Sequence, residues 1–258
     1  MTTQPSFRTC TRTKHHRQIV NKKISPKILQ VESLHIYPIM STLFIMIKKK
    51  INNLEWLEFE LLQDFAKIKH FVSLSTPPQQ VILANQVHGN HVERIQKPPK
   101  NELVCDALST NTKNLAIGVK HADCQAGILY DPLHHAAACV HCGWRGSVQN
   151  IFCKSIEHMR KHFHSSPSDL LFCVGPSLGP ENAEFINYKS ELPKKFWDYQ
   201  IKPNYFDFWE ITKSEALACG IDPNHIEIAK LDTYSGPFYS YRQDRSQKNR
   251  HITAITLL

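Results

Sequence analysis

Five short apolar runs, each closed by turn residues, set the strongest limit on how this chain can fold. They are LAIGV (115–119), AGILYDP (126–132), HHAAACVHCGW (134–144), LLFCVGPSLG (170–179) and the closing ITAITLL (252–258). Runs of this length bounded by Gly, Pro or Asp read as buried strands. Upstream, LEWLEFELL and HFVSL alternate or run apolar in the same way, and VILANQVHGNHVERI reads as a strand pair broken at Gly89–Asn90. Helical spacing occurs in two places. Val148, Ile151, Phe152, Ile156, Met159 and Phe163 form an apolar stripe behind Ser147 as N-cap, and Asp207–Cys219 ends at Gly220 and Pro223. Strands outnumber helices and do not alternate with them regularly. The expected class is therefore α+β, with mixed β-sheets in a sandwich flanked by helices, not a doubly wound parallel sheet.

Charge separates this body from what precedes it. Residues 1–50 carry ten Lys/Arg and one acid, Glu32, whereas the other 208 residues carry 21 Lys/Arg and 22 acids. The formal net charge of +8 thus belongs to the first segment. Residues 1–50 are expected to be a poorly ordered basic extension, and 51–258 the folded domain. A nucleic-acid-binding fold would need its excess charge on the body, so no nucleic-acid partner is expected. The apolar stretch Ile36–Ile47 is shorter than the ~20 residues a membrane span takes, so no membrane anchor is expected either. It reads as a strand or a tail segment. The eight cysteines include several inside apolar runs (AAACV, LLFCV), where a reduced Cys behaves as a small hydrophobe. That usage fits a reducing, cytoplasmic setting.

Three segments carry residues suited to chemistry: Gln86-Val87-His88-Gly89, Ala122-Asp123-Cys124, and His141-Cys142-Gly143-Trp144-Arg145-Gly146. Each sets a metal-type ligand at the edge of an apolar strand beside small residues. A His, Cys, His set suits zinc and leaves a fourth position open, as a catalytic site requires. The ligands lie far apart in sequence, so no local motif declares the site. A lone His near a strand end is more often a hydrogen-bonded structural residue.

Taken in order, QVHG, CDALST, ADC followed by ILYDP, HCGWRG, GPSLGP and FYSYRQD resemble the motifs of the laccase-domain, polyphenol-oxidase-like family of zinc-dependent purine nucleoside phosphorylases. The resemblance runs from about Leu54 to the C-terminus. It implies a metal site on His88, Cys124 and His141. It also implies phosphorolysis of adenosine, guanosine or inosine, phosphorolysis of 5′-methylthioadenosine, and an adenosine deaminase side activity. The residue types agree with such chemistry. Zinc lowers the pKa of bound water from about 15.7 to about 7, which supplies hydroxide for deamination at purine C6. Arg145 and Arg242 are the natural substrate-binding cations, because a guanidinium matches phosphate bidentately. For either, a surface ion pair is the competing account. Asp123, beside the ligand Cys, is a candidate catalytic base or an orienter of a ligand, or else a strand-end cap.

The sequence departs from the family where substrate is met. In place of His-x-Phe-Ser-Thr-Arg-x-Gly-Gly it has His70-Phe71-Val72-Ser73-Leu74-Ser75, then Thr-Pro-Pro. Asn182-Ala183-Glu184-Phe185 replaces Cys-Tyr-Glu-Val, and Asp232-Thr233 stands where members read Cys-Thr. Among the other candidates, Cys142 points away from His141 on a strand and belongs in the core. His121 faces either the site or solvent. His134 and His135 follow a turn and are expected to be exposed. His162-Phe163-His164 has a copper-like spacing, but it closes a helix, where a cationic His favours the dipole. A multicopper oxidase needs many ordered His-x-His ligands, so copper is not expected. Two alternatives remain: a metal-free cysteine hydrolase or deamidase using Cys124 and His141, and a non-catalytic homologue.

Overall fold

The computed structural model describes residues 46–258. Its strands are β1 (Ile47–Ile51), β2 (Leu54–Glu58), β3 (Ile68–Ser73), β4 (Val92–Arg94), β5 (Ala107–Thr110), β6 (Ala116–His121), β7 (Gln125–Asp131), β8 (Ala136–Cys142), β9 (Leu171–Val174), β10 (Gln200–Lys202), β11 (Tyr205–Phe206), β12 (Ile226–Ile228) and β13 (His251–Leu257). The helices are α1 (Trp144–Val148), α2 (Ile151–Phe163), α3 (Tyr188–Glu191) and α4 (Phe208–Ala218). One sheet has the order β1-β2-β3-β13-β6 and a second the order β12-β9-β7-β8-β5-β4. The second is mixed: β7, β8 and β9 pair antiparallel, while β4–β5 and β12–β9 are parallel. This is the expected α+β sandwich.

Alternation along β8 explains why the centre of the molecule is so apolar. Ala137 and Cys139 join a core with Val72, Ile117, Val119 and Ile255 of the first sheet. Ala136, Ala138, Val140 and Cys142 join a second core with Ile151, Phe152, Ile156 and Met159 of α2. A strand covered on both faces must be apolar throughout, hence the run AAACV. His141 follows Ala137 and Cys139 on the face toward the first sheet. The same parity turns His121 inward with Ile117 and Val119, so it is buried rather than solvent-facing.

Local signals placed α4 well. The Asp207 side chain accepts the Glu210 N–H at 3.0 Å, and Gly220 takes φ 91° past the end. Three expectations need correction. The helix expected over Ser147–Phe163 is two helices, interrupted where Asn150 adopts a left-handed φ of 57°. Of the strand pair expected over 81–95, only β4 forms as a strand. The rest is a loop, touching its neighbours through single bridges such as Ile82 to Ile117. Cys153 and Cys219 are paired as a disulfide joining α2 to the end of α4, whereas Cys105, Cys124, Cys139, Cys142 and Cys173 are free thiols. The boundary expected at residue 50 falls inside β1, which pairs with β2 from Ile47 onward. Most of Ile36–Ile47, including residues 36–45, lies outside the described residues. No described helix is long and apolar enough to cross a membrane.

His70 links this packing to pH. It is buried, and its Nε2 receives the Phe59 N–H at 2.9 Å. Burial holds its pKa down to about 4, against an ordinary 6.5. A depressed histidine contributes stability that is present above the unfolded pKa and lost as pH falls toward the folded one. Lowering pH from 6.5 to 4 should therefore cost on the order of 3 kcal/mol at this residue. Urea unfolding across that range should be steeper in pH for the wild type than for His70→Gln. Parallel curves would show that another group carries the effect.

Candidate metal centre

His88, Cys124 and His141 come from three separate places and converge. His141 sits near the end of β8, Cys124 in the turn between β6 and β7, and His88 in the loop before β4. Their ligand atoms all lie within 4.8 Å of one another, and among the described residues no other such group of His, Cys, Asp and Glu occurs. The Cys124 Sγ is 3.9 Å from His88 Nε2, and the His88 and His141 rings meet edge to face at 5.0 Å. Burial raises the Cys124 thiol, but hydrogen bonds from His141 and His88 outweigh it and bring it to about 6. Burial likewise opposes charge on His141, yet Asp106 and Cys124 raise its pKa to about 9. A thiolate drawn toward two imidazoles is the donor set of a soft-to-borderline divalent cation, so the residues fit zinc.

The residue that organises the centre is Asp106, fully buried immediately before β5. It accepts the His141 Nδ1–H at 2.9 Å, which leaves His141 Nε2 for a metal. It also accepts three successive backbone N–H groups, those of Val87 (3.2 Å), His88 (2.9 Å) and Gly89 (2.8 Å). That cradle holds His88 at φ 58°, a left-handed conformation that is uncommon outside glycine. One carboxylate therefore sets two of the three ligands. The CDALST segment contains Asp106, but sequence reading gave it no role.

Close approach also explains Gly143. A Cβ there would lie 2.9 Å from His88 Cδ2 and 3.0 Å from Cys124 Sγ. Any side chain would be forced between two ligands.

Asp123 does not touch a ligand histidine. At φ 78° its carboxylate accepts the Thr233 hydroxyl at 2.7 Å and the Arg242 backbone N–H at 2.6 Å, tying two C-terminal loops to the turn that carries Cys124. The orienting contact considered for Asp123 is made by Asp106 instead. The Arg242 guanidinium donates to the carbonyls of Asn182 and Glu184 at 3.3 and 3.2 Å. Arg145, on α1, is exposed and stacks over Trp144 at 4.2 Å. Cys142 is packed in the core. The His162 ring lies tilted against His158 at 4.2 Å, while His164 caps α2 at φ 61°. His134 bonds Asp131, and His135 contacts Tyr130.

The three ligands open into a cavity of about 1050 Å³, walled by Trp144, Phe185, Phe208 and Tyr241 and also lined by Arg145 and Arg242. Flat aromatic faces beside cations suit a planar heterocycle that carries, or reacts with, an anion.

Comparison with known proteins identifies the family and the fold. Residues 65–258 match the model of a family described as multi-copper polyphenol oxidoreductase laccase. A purine nucleoside phosphorylase of Bacteroides thetaiotaomicron is 26% identical over 204 residues, covering 71% of this chain and 76% of the relative. The purine nucleoside phosphorylase YlmD of Bacillus subtilis is 24% identical over 213 residues, 74% of this chain and 77% of the relative. The crystal structure of YlmD from Geobacillus stearothermophilus superposes with a TM-score of 0.70 at 20% identity, covering 83% of this chain and 98% of that one. That likeness establishes the shared sandwich.

Proposed function

This chain belongs to the multi-copper polyphenol oxidoreductase laccase family, and we propose that within it the protein is a zinc-dependent purine nucleoside phosphorylase. The observation that carries the reading is the convergence of His88, Cys124 and His141 at a cavity lined by aromatic and cationic side chains. The names of the two relatives point to the same reaction class. The substrates are adenosine, guanosine or inosine with inorganic phosphate. A phosphate oxygen bonds to ribose C1′ as the bond from C1′ to the purine nitrogen breaks. The electron pair leaves with the base, which takes up a proton, and ribose 1-phosphate is the other product. Phosphorolysis of 5′-methylthioadenosine and deamination of adenosine are proposed as side activities of the same centre.

When bound, zinc would supply Lewis-acid activation of water or of a substrate oxygen. The chain's own residues do the rest. Asp106 fixes the tautomer of His141 and the backbone of His88. Asp123 and Arg242 brace the loops that form the mouth. Trp144, Phe185 and Phe208 stack the base and exclude water. Arg145, permanently charged and unengaged by a carboxylate among the described residues, holds the attacking phosphate.

The second reading, a cysteine hydrolase with Cys124 as nucleophile and His141 as base, draws on the same contact between the thiol and the imidazoles. Metal content separates the two. The purified protein should carry about one zinc per chain and release base only when phosphate is present. Stoichiometric copper, or full activity without metal, would overturn the proposal. Arg145→Lys should raise the phosphate KM and slow phosphorolysis by about tenfold or more while slowing deamination less, since deamination has no phosphate to hold. Equal loss of both activities, with the phosphate KM unchanged, would make Arg145 structural.

A further inference from the structure

The cavity is basic well beyond the need for one phosphate. The folded body is close to neutral, with 24 Lys/Arg against 22 acids over residues 46–258. Yet Lys120, Arg145, Arg242, Arg245, Lys248 and Arg250 all line this one cavity, against three acids, Asp123, Glu184 and Glu191. None of the six cations is paired with a carboxylate among the described residues; ion pairs such as Lys195–Glu215 and Lys230–Glu210 lie elsewhere. Asp123 is committed to Thr233 and the Arg242 backbone. Asp244, the acid beside Arg245, bonds Ser246 and does not line the cavity. Two of the cations are already engaged, Arg242 by the carbonyls of Asn182 and Glu184, and Arg250 by those of Gln247 and Asn249. Arg145 is assigned above to the attacking phosphate. That leaves Arg245 and Lys248, three residues apart on an exposed loop at the mouth, and Lys120 on the rim. An unpaired cluster of this kind, on a loop braced by Arg242 and Asp123, is built to hold an anion.

Size points the same way. At about 1050 Å³ the cavity is at the upper end of the usual ~300–1,000 Å³ for small-molecule pockets. We propose that Arg245, Lys248 and Lys120 form a second anion subsite that takes a 5′-phosphoryl group, so that the site accepts nucleoside 5′-phosphates beside the free nucleosides and binds them more tightly. The inference rests on the phosphorylase reading for its nucleoside and on the charge distribution for its phosphate.

Calorimetric titration of the zinc-loaded protein with adenosine, adenosine 5′-monophosphate and inorganic phosphate separates these parts. The monophosphate should bind about tenfold or more tightly than adenosine at low salt, and the advantage should shrink as ionic strength rises. In R245Q/K248Q, where both substituted side chains are exposed and the fold is left intact, the two affinities should converge. Equal affinities in the wild type, or a preference that survives in the double variant, would overturn the proposal. So would a second inorganic phosphate that is lost in the double variant with no monophosphate preference, since the subsite would then serve free phosphate. A monophosphate preference without phosphate-dependent base release would support the subsite while defeating the phosphorylase reading.

Discussion

Replacing Cys124 by alanine is expected to remove bound metal and turnover together. Cys124 is the sole thiolate of the set, and its Sγ sits against His88 at 3.9 Å and within 4.8 Å of a His141 nitrogen. Without it two imidazoles remain, too few for a catalytic zinc site with three protein ligands. The loss should therefore exceed the about 10–100-fold typical of changes to residues that only support the ligands. Folding should survive. Cys124 lies in a turn outside the apolar cores, and the strands on either side, β6 and β7, are held by full ladders to β13, β8 and β9. Metal analysis, circular dichroism and a base-release assay on one preparation decide the matter. A folded Cys124→Ala protein that keeps its zinc but loses turnover would move Cys124 from ligand to nucleophile.

What could be read from the sequence followed burial. β7, β8, β9 and β13 are covered on both faces or lie centrally in a sheet, so their apolar runs had one interpretation. α4 announced both ends through Asp207 and Gly220. The three ligands stood out because each occupies the edge of such a run. The errors share a cause in tertiary contact. The QVHG loop carries strand-like residues, yet the Asp106 carboxylate takes up its backbone N–H groups and bends the chain from His88 onward. Asn150 divides a stripe whose spacing is continuous but whose partners differ: Val148 packs against Leu192, Phe196, Phe206 and Ile211, whereas Ile151, Phe152, Ile156, Met159 and Phe163 join the core beside β8. The aromatic pocket wall had no period to find: Trp144, Phe185 and Phe208 come from distant segments, and only folding places the Phe185 and Phe208 rings 5.2 Å apart. Asp106 was missed because its neighbours gave no sign that a charge just before a strand is fully buried.

That burial leads to the expected behaviour of Asp106→Asn. A buried carboxylate persists only when its lone pairs are satisfied, and Asp106 has four donors, His141 Nδ1 and the backbone of Val87, His88 and Gly89. Burial alone would raise its pKa, but the His141 hydrogen bond and the backbone donors reverse this and hold the carboxyl below its ordinary value. Asparagine has the same shape with an acceptor on one side only. One carboxylate oxygen accepts from His141 and the His88 N–H and the other from the Val87 and Gly89 N–H groups, so the asparagine NH₂ faces two donors in either orientation. Two buried contacts become donor against donor, at a cost of about 1–3 kcal/mol in stability for each. His141 also loses the negative partner that fixes its tautomer, so zinc affinity should fall by about 10–100-fold. Competition against a chelator of known affinity measures the second effect, and urea unfolding of the metal-free protein measures the first. Asp123→Asn is the comparison, since its carboxylate holds the Thr233 and Arg242 loops and contacts neither histidine ligand. It should leave zinc affinity within about twofold of wild type, well inside the range that separates ligand support from loop bracing. Should Asp106→Asn bind zinc as tightly as Asp123→Asn does, the orientation of His141 would have to come from packing, and Asp106 would be a loop clamp alone.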